Sequence, residues 1–133
     1  MRVLFRNLVV AVMAIYIAFL IIPFYWEQLY DQDTLTALSW NNWGSYVPIP
    51  IIDAIAWFFP VAYAIISVGL FFFKNWARKL FLIFTLALGF LYPLWGLAVI
   101  TGWESVISYY MILGDGIILT MAYFTSVRNE FNT

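Results

Sequence analysis

The sequence predicts an all-α membrane protein, a four-helix transmembrane bundle that forms one domain over residues 1–133. Two observations support this fold class. First, 65% of the residues are hydrophobic and 10% are charged, whereas soluble domains carry roughly 25% charged residues. Such a chain has too few charged side chains to cover a surface in water. Second, it contains four apolar runs that each reach the ~20 residues needed for a helix to cross a bilayer.

The four apolar runs place the helices along the chain. They cover about residues 7–26, 51–73, 80–100 and 105–127. None of them alternates apolar and polar residues, so the pattern favours helices over strands. The first run follows two arginines, as the core of a signal peptide would, but it ends in "IIPFYWEQ" without a small-residue cleavage site. We therefore expect the first run to remain as a helix of the bundle.

The first outer loop, residues 27–50, is the longest connection. Its centre, "DTLTALSWNNW", predicts a short interfacial helix with Asp33 as the N-cap. The following "WGSYVPIP" predicts an extended entry into the second helix, because a residue before proline avoids the α region. Pro60 and Pro93 predict kinks in the second and third helices.

The basic residues predict the orientation of the bundle. Cytoplasmic loops are enriched in Lys and Arg, so both termini are expected in the cytoplasm. All six basic residues lie before the first helix, between the second and third, or after the fourth: Arg2, Arg6, Lys74, Arg78, Lys79 and Arg128. The opposite side carries acidic residues, including Asp53 and Glu104, and no Lys or Arg. Small size and the absence of an Asn-x-Ser/Thr sequon fit a multi-pass protein of a bacterial inner membrane.

An aspartate in the fourth helix lies near the expected midplane of the bilayer. Placing Asp115 there costs roughly 2.5–3.5 kcal/mol on insertion scales. No basic residue of the chain reaches that depth. We therefore expect Asp115 to be protonated, or paired with a group that the sequence does not identify. Polar residues of the bundle predicted to form a buried cluster are Asp115, Tyr16, Tyr63, Tyr92 and Ser108.

The glycines on either side of Asp115 support two interpretations. Gly114 and Gly116 lack side chains, so a neighbouring helix can pack closely against them. Alternatively, the two glycines interrupt the helix, and Asp115 caps a half-helix, as at the midplane sites of transporters.

The residue types exclude much chemistry. The chain has no cysteine and no histidine, which excludes disulfides, thiolate metal sites and bis-histidine haem. Histidine is also the commonest general acid or base. We therefore expect no catalytic residue, no metal site and no cofactor, and the chain is not predicted to be an enzyme.

The sequence leaves more than one function open. The favoured one is a non-catalytic membrane interaction protein, such as an accessory subunit, assembly factor or immunity protein, that uses Asp115 for helix packing or partner binding. The alternative is a small proton-linked transporter or channel that assembles as an oligomer around Asp115. A lipid-directed enzyme would need a second polar group beside Asp115 or Asp53. The expected partners are the lipid bilayer and another membrane protein or further copies of this chain, with no nucleic acid.

Overall fold

The computed structural model describes residues 1–131, and every regular element in that range is helical. The α-helices are α1 (Arg2–Ile21), α2 (Trp26–Leu29), α3 (Gln32–Leu38), α4 (Ile49–Phe71), α5 (Asn75–Leu91) and α6 (Gly102–Phe124). Single 3-10 segments follow α1, α5 and α6 at Ile22–Tyr25, Tyr92–Trp95 and Ser126–Glu130. Four spans are long and apolar enough to cross a membrane: Arg2–Leu29, Ile49–Phe71, Asn75–Trp95 and Gly102–Phe124. The predicted all-α class with four such helices is confirmed.

The four long helices pack around a narrow core. Helix α1 packs against α6 and α4, α4 packs against α5, and α5 meets α6. The core contains apolar residues from all four helices, including Val9, Leu70, Phe81 and Ile118. At most 28% of the most apolar stretch of any span is buried inside the bundle. Most of the apolar surface therefore points outward, as a chain surrounded by lipid requires.

The third long helix is shorter than the predicted run to residue 100. Helix α5 ends at Leu91, and residues 96–100 are not helical. Pro93 lies in the 3-10 segment that follows, where it ends the α-helix, because proline has no N–H to donate. Pro60 lies inside the continuous α4. The bounds of the other three long helices also differ by a few residues from the predicted runs. The first helix, for example, begins at Arg2 and not near residue 7.

The residues after α5 pair with the loop before α4. Asn42 donates its N–H to the Leu97 carbonyl at 2.8 Å, and Leu97 returns an N–H bond to the Trp43 carbonyl at 2.9 Å. Gly96 makes this contact possible. Its φ is +80°, and an added Cβ would lie 2.5 Å from the Trp43 carbonyl oxygen. Residues 39–48 and 94–99 thus form one unit, named the loop cap here.

The short helix expected in the first loop is α3, but its N-cap differs from the predicted one. Asp31 is the N-cap, and its carboxylate accepts a hydrogen bond from the Thr34 N–H at 2.8 Å. Asp33 lies in the first turn, so its assignment as the cap is wrong. Hydrogen bonds from Thr34 hold the pKa of Asp31 below its usual value, because they stabilise the charged carboxylate.

Candidate functional site

A hydrogen bond between two long helices is the centre of the candidate site. Tyr63 of α4 donates its hydroxyl to Asp115 Oδ1 of α6, with 2.7 Å between the oxygens. The Tyr63 side chain is buried and Asp115 is half-buried. Both residues lie near the middle of their helices. The bond therefore joins α4 and α6 at the depth that would be farthest from water in a bilayer.

Tyr16 of α1 joins this pair. Its ring centroid lies 4.4 Å from that of Tyr63, and Tyr16 interacts electrostatically with Asp115 and Tyr92. Tyr92 itself is exposed, and its ring packs against Trp95. Ser108 is half-buried and makes no hydrogen bond to this group within residues 1–131. The structure thus brings Asp115, Tyr63 and Tyr16 together, with Tyr92 at the edge.

The second oxygen of Asp115 is not fully buried and has no hydrogen-bond donor within the described chain. Within the described chain, Tyr63 is the one hydrogen-bond donor to this carboxyl group. Arg78 Nε is the single fully buried side-chain nitrogen or oxygen without a hydrogen-bond partner in the same range, so Asp115 Oδ2 is not sealed inside. This oxygen can accept a further hydrogen bond or carry a proton.

The two flanking glycines have different surroundings. A Cβ on Gly114 would overlap Val12 Cγ2, whereas a Cβ on Gly116 would meet no atom within 4 Å. Residues two positions apart point to nearly opposite sides of a helix, so Gly114 faces α1 and Gly116 faces outward. Within the described chain no group packs against Gly116, so close packing there stays a prediction for a helix of another chain. The broken-helix alternative is also wrong, because α6 continues through both glycines.

The outer-face acids lie in different environments. Glu104 is 4% exposed and accepts hydrogen bonds from Trp26 Nε1 and the Thr101 hydroxyl, both at 2.8 Å. Thr101 and Glu104 form a capping box at the start of α6, and the Tyr30 hydroxyl contacts the Thr101 hydroxyl at 2.7 Å. Asp53 is exposed on α4. Sequence reasoning missed this network, although the Thr-x-x-Glu spacing of residues 101–104 is its known signature.

Three of the predicted basic residues stabilise one end of the bundle, named the basic end here. Arg6 Nε donates to the Phe71 carbonyl at 3.1 Å, and the Arg78 guanidinium donates to the Ala122 carbonyl at 3.4 Å. These carbonyls belong to the last turns of α4 and α6, whose terminal carbonyls lack partners within the helix. Arg2 pairs with Glu130 at 3.1 Å.

An aromatic cluster lies beneath these arginines. Phe5, Phe73 and Phe131 have ring centroids 5.5 to 5.7 Å apart. The Arg6 guanidinium lies 5.1 Å from the Phe73 centroid, and the Arg78 guanidinium lies 5.2 Å from that of Phe131. Such contacts attract a cation to the ring face. The other three basic residues are exposed: Lys74, Lys79 and Arg128.

Comparison of this chain with protein-family models, curated proteins and solved structures gives no match. Its function is therefore inferred from the geometry of the residues themselves.

Proposed function

We propose that this chain is a non-catalytic, multi-pass protein of a bacterial inner membrane that binds another membrane protein through Asp115. Both termini lie in the cytoplasm in this proposal, because all six Lys and Arg residues belong to the segments assigned to that side. One observation supports the binding role above the others. Asp115 uses one oxygen to accept from Tyr63 and leaves the other without a donor in the described chain and not fully buried.

An accessible carboxyl oxygen is unfavourable in lipid. The hydrocarbon region offers no donor to it, and an unsatisfied polar group there costs several kcal/mol. A polar donor from another transmembrane helix removes that cost. Polar residues inside membrane helices are accordingly associated with function.

The surface beside Asp115 favours the approach of a helix. Gly116 is exposed, with open space where a Cβ would stand. Thr120 is exposed as well, and its hydroxyl donates to the Gly116 carbonyl at 2.8 Å. Small residues four positions apart let two helix backbones come close. The Thr120 hydroxyl is satisfied within α6, so Asp115 is the acceptor that a partner would use.

The surroundings of Asp115 support a non-catalytic role. Its neighbours are tyrosines, while the buried Glu104 is held in the capping box by Trp26 and Thr101. General acid–base catalysis usually needs a second titratable group within reach of the first. Within residues 1–131, no second carboxyl group hydrogen-bonds to the Asp115–Tyr63 pair.

The second candidate function is a proton-linked transporter or channel formed by several copies of this chain. The same accessible oxygen favours it, because a carboxyl group at mid-membrane depth can bind and release a proton when a polar path reaches it. This candidate predicts a homo-oligomer and proton flux, whereas partner binding predicts a stoichiometric complex with a different chain.

Native mass spectrometry of the tagged protein, solubilised gently from its own membrane, tests both candidates. Asp115→Asn is run in parallel because it keeps an acceptor for Tyr63 while placing an amide donor on the same group. Asp53→Asn, a change at an exposed position of α4, is the matched control. A different chain that Asp115→Asn releases and Asp53→Asn retains supports partner binding. A homo-oligomer favours the second candidate, and proton flux in liposomes then tests it. A monomer in every sample contradicts both candidates.

A further inference from the structure

The turn between α4 and α5 presents two lysines and two aromatic rings on its outer face. Lys74 and Lys79 are exposed. Phe72 is 58% exposed and Trp76 is 46% exposed. Between them, Phe73 and Ala77 are buried. The outer face of this turn, named the hairpin face here, therefore combines cationic and aromatic side chains.

The turn that carries the hairpin face is firmly held. Phe73 has a φ of 55°, a conformation that side-chain-bearing residues seldom adopt, and its ring stacks on Phe5. The Trp76 ring lies over Gly69, where an added Cβ would be 2.9 Å from two ring carbons. These contacts hold the backbone from which Lys74 and Lys79 extend.

Within residues 1–131, no acidic group pairs with the two lysines. Glu130 is the acidic residue of the basic end, and it pairs with Arg2. Arg6 and Arg78 donate to helix carbonyls and lie over aromatic rings. Within the part of the chain that the structure describes, no ion pair involves either lysine. An anion from outside the chain therefore meets two uncompensated cations.

We propose that the hairpin face binds the phosphodiester headgroup of an anionic phospholipid. The proposal rests on the membrane insertion proposed above. Lys74 and Lys79 contact the phosphate oxygens, as basic residues beside a membrane span do. The rings of Phe72 and Trp76 lie at the boundary between headgroups and acyl chains, a depth that aromatic rings favour. A soluble anion would leave both rings in water, so the combination of charge and aromatic surface favours a lipid.

Titration of the purified protein with lipids in a neutral detergent tests the site. Phosphatidylglycerol and phosphatidylcholine with identical acyl chains are the probes, and native mass spectrometry counts the bound molecules. We expect the wild-type protein to bind phosphatidylglycerol more tightly. The Lys74→Gln/Lys79→Gln double variant should lose about 30-fold in affinity for phosphatidylglycerol, the effect of two cations near an anionic surface. Its affinity for phosphatidylcholine should not change.

Arg128→Gln is the matched control, because Arg128 is an exposed cation outside the hairpin face. If Arg128→Gln lost as much affinity for phosphatidylglycerol as the double variant, the effect would be one of general charge, and the proposed site would be refuted. Equal binding of the two lipids by the wild-type protein would do the same. Displacement of phosphatidylglycerol by millimolar inorganic phosphate would assign the lysines to a soluble anion and reject the lipid.

Two checks separate the possible failures. Thermal unfolding in neutral detergent shows whether each variant folds. If the double variant does not fold, Lys74→Gln and Lys79→Gln are titrated singly, with about fivefold loss expected for each. Flotation with vesicles of phosphatidylcholine alone tests insertion. A chain that does not float refutes the proposed membrane location, whereas a chain that floats without lipid preference refutes only the headgroup site.

Discussion

At the residue scale, the Tyr63–Asp115 hydrogen bond is expected to add little to stability. Hydrogen bonds between membrane helices contribute about 0.6 kcal/mol on average. A double-mutant cycle with Tyr63→Phe and Asp115→Ala, each of which removes the hydrogen bond, should give a coupling energy near that value when it is read by unfolding in detergent. Tyr16→Phe is the matched control, since the Tyr16 ring packs against Tyr63 at a tilt and the bond to Asp115 comes from Tyr63. Zero coupling would show that the bond is absent from the folded protein in detergent.

The two glycines around Asp115 provide a matched pair of substitutions. Gly114→Ala places a Cβ against Val12, and overpacking of this kind costs about 1–3 kcal/mol. Gly116→Ala meets open space and gains helix propensity, worth up to about 1 kcal/mol. Thermal unfolding in detergent should therefore show opposite shifts. Val12→Ala combined with Gly114→Ala should restore part of the loss, and failure to do so would contradict the α1–α6 contact described above.

The residues of the site differ in how well sequence predicts them. Counting residues from the ends of the apolar runs is enough to place Tyr63 and Asp115 at one depth, because helical rise is constant. Whether Gly116 faces a neighbouring helix depends on where α1 packs. The sequence of α6 alone does not contain that information. Ser108 belongs to the predicted buried cluster but takes no part in the bond to Asp115, and the sequence could not show this for the same reason.

At the element scale, the loop cap depends on Gly96. Gly44 and Gly96 both have positive φ, but an added Cβ meets nothing at Gly44 and the Trp43 carbonyl at Gly96. Alanine at either position incurs left-handed strain of roughly 1–2 kcal/mol. In Gly96→Ala the added Cβ must also push residues 94–99 away from the Trp43 carbonyl. This variant should therefore unfold at a lower temperature than Gly44→Ala. Limited proteolysis within residues 39–48 should accelerate in Gly96→Ala alone. Equal behaviour of the two variants would contradict the loop pairing.

The ends of the elements were harder to predict than their existence. The apolar run of the third helix continues to Ile100, although α5 ends at Leu91. The hydropathy of the sequence therefore does not show where that helix ends. Pro93 and Gly96 mark the break locally, but the pairing of Leu97 with Asn42 joins segments far apart in sequence. For α3, two aspartates lie near the start of the helix, and only the Asp31–Thr34 bond shows that Asp31 is the cap.

At the scale of the whole molecule, the separation of charge predicts the topology. The chain has no cysteine, so single cysteines can be introduced without removing others. Ser39→Cys lies at the loop cap and Ser126→Cys at the basic end, and both serines are exposed. In spheroplasts, a membrane-impermeant maleimide should label Ser39→Cys and spare Ser126→Cys. Labelling should reverse in inverted vesicles. The opposite pattern would invert the proposed orientation, and labelling of both positions in intact spheroplasts would contradict it.

The loop cap also has a consequence for the timing of synthesis. A chain made from its N-terminus presents residues 41–46 well before residues 94–99. The N–H groups of Asn42 and Tyr46, which later donate to Leu97 and Leu94, must be hydrated by water in that interval. In the proposed membrane location, the cap therefore closes only after α5 has crossed the membrane and the chain has returned to the same side. A nascent chain halted in α5 still has an open loop, which makes cap closure a marker that α5 is complete, before α6 is made.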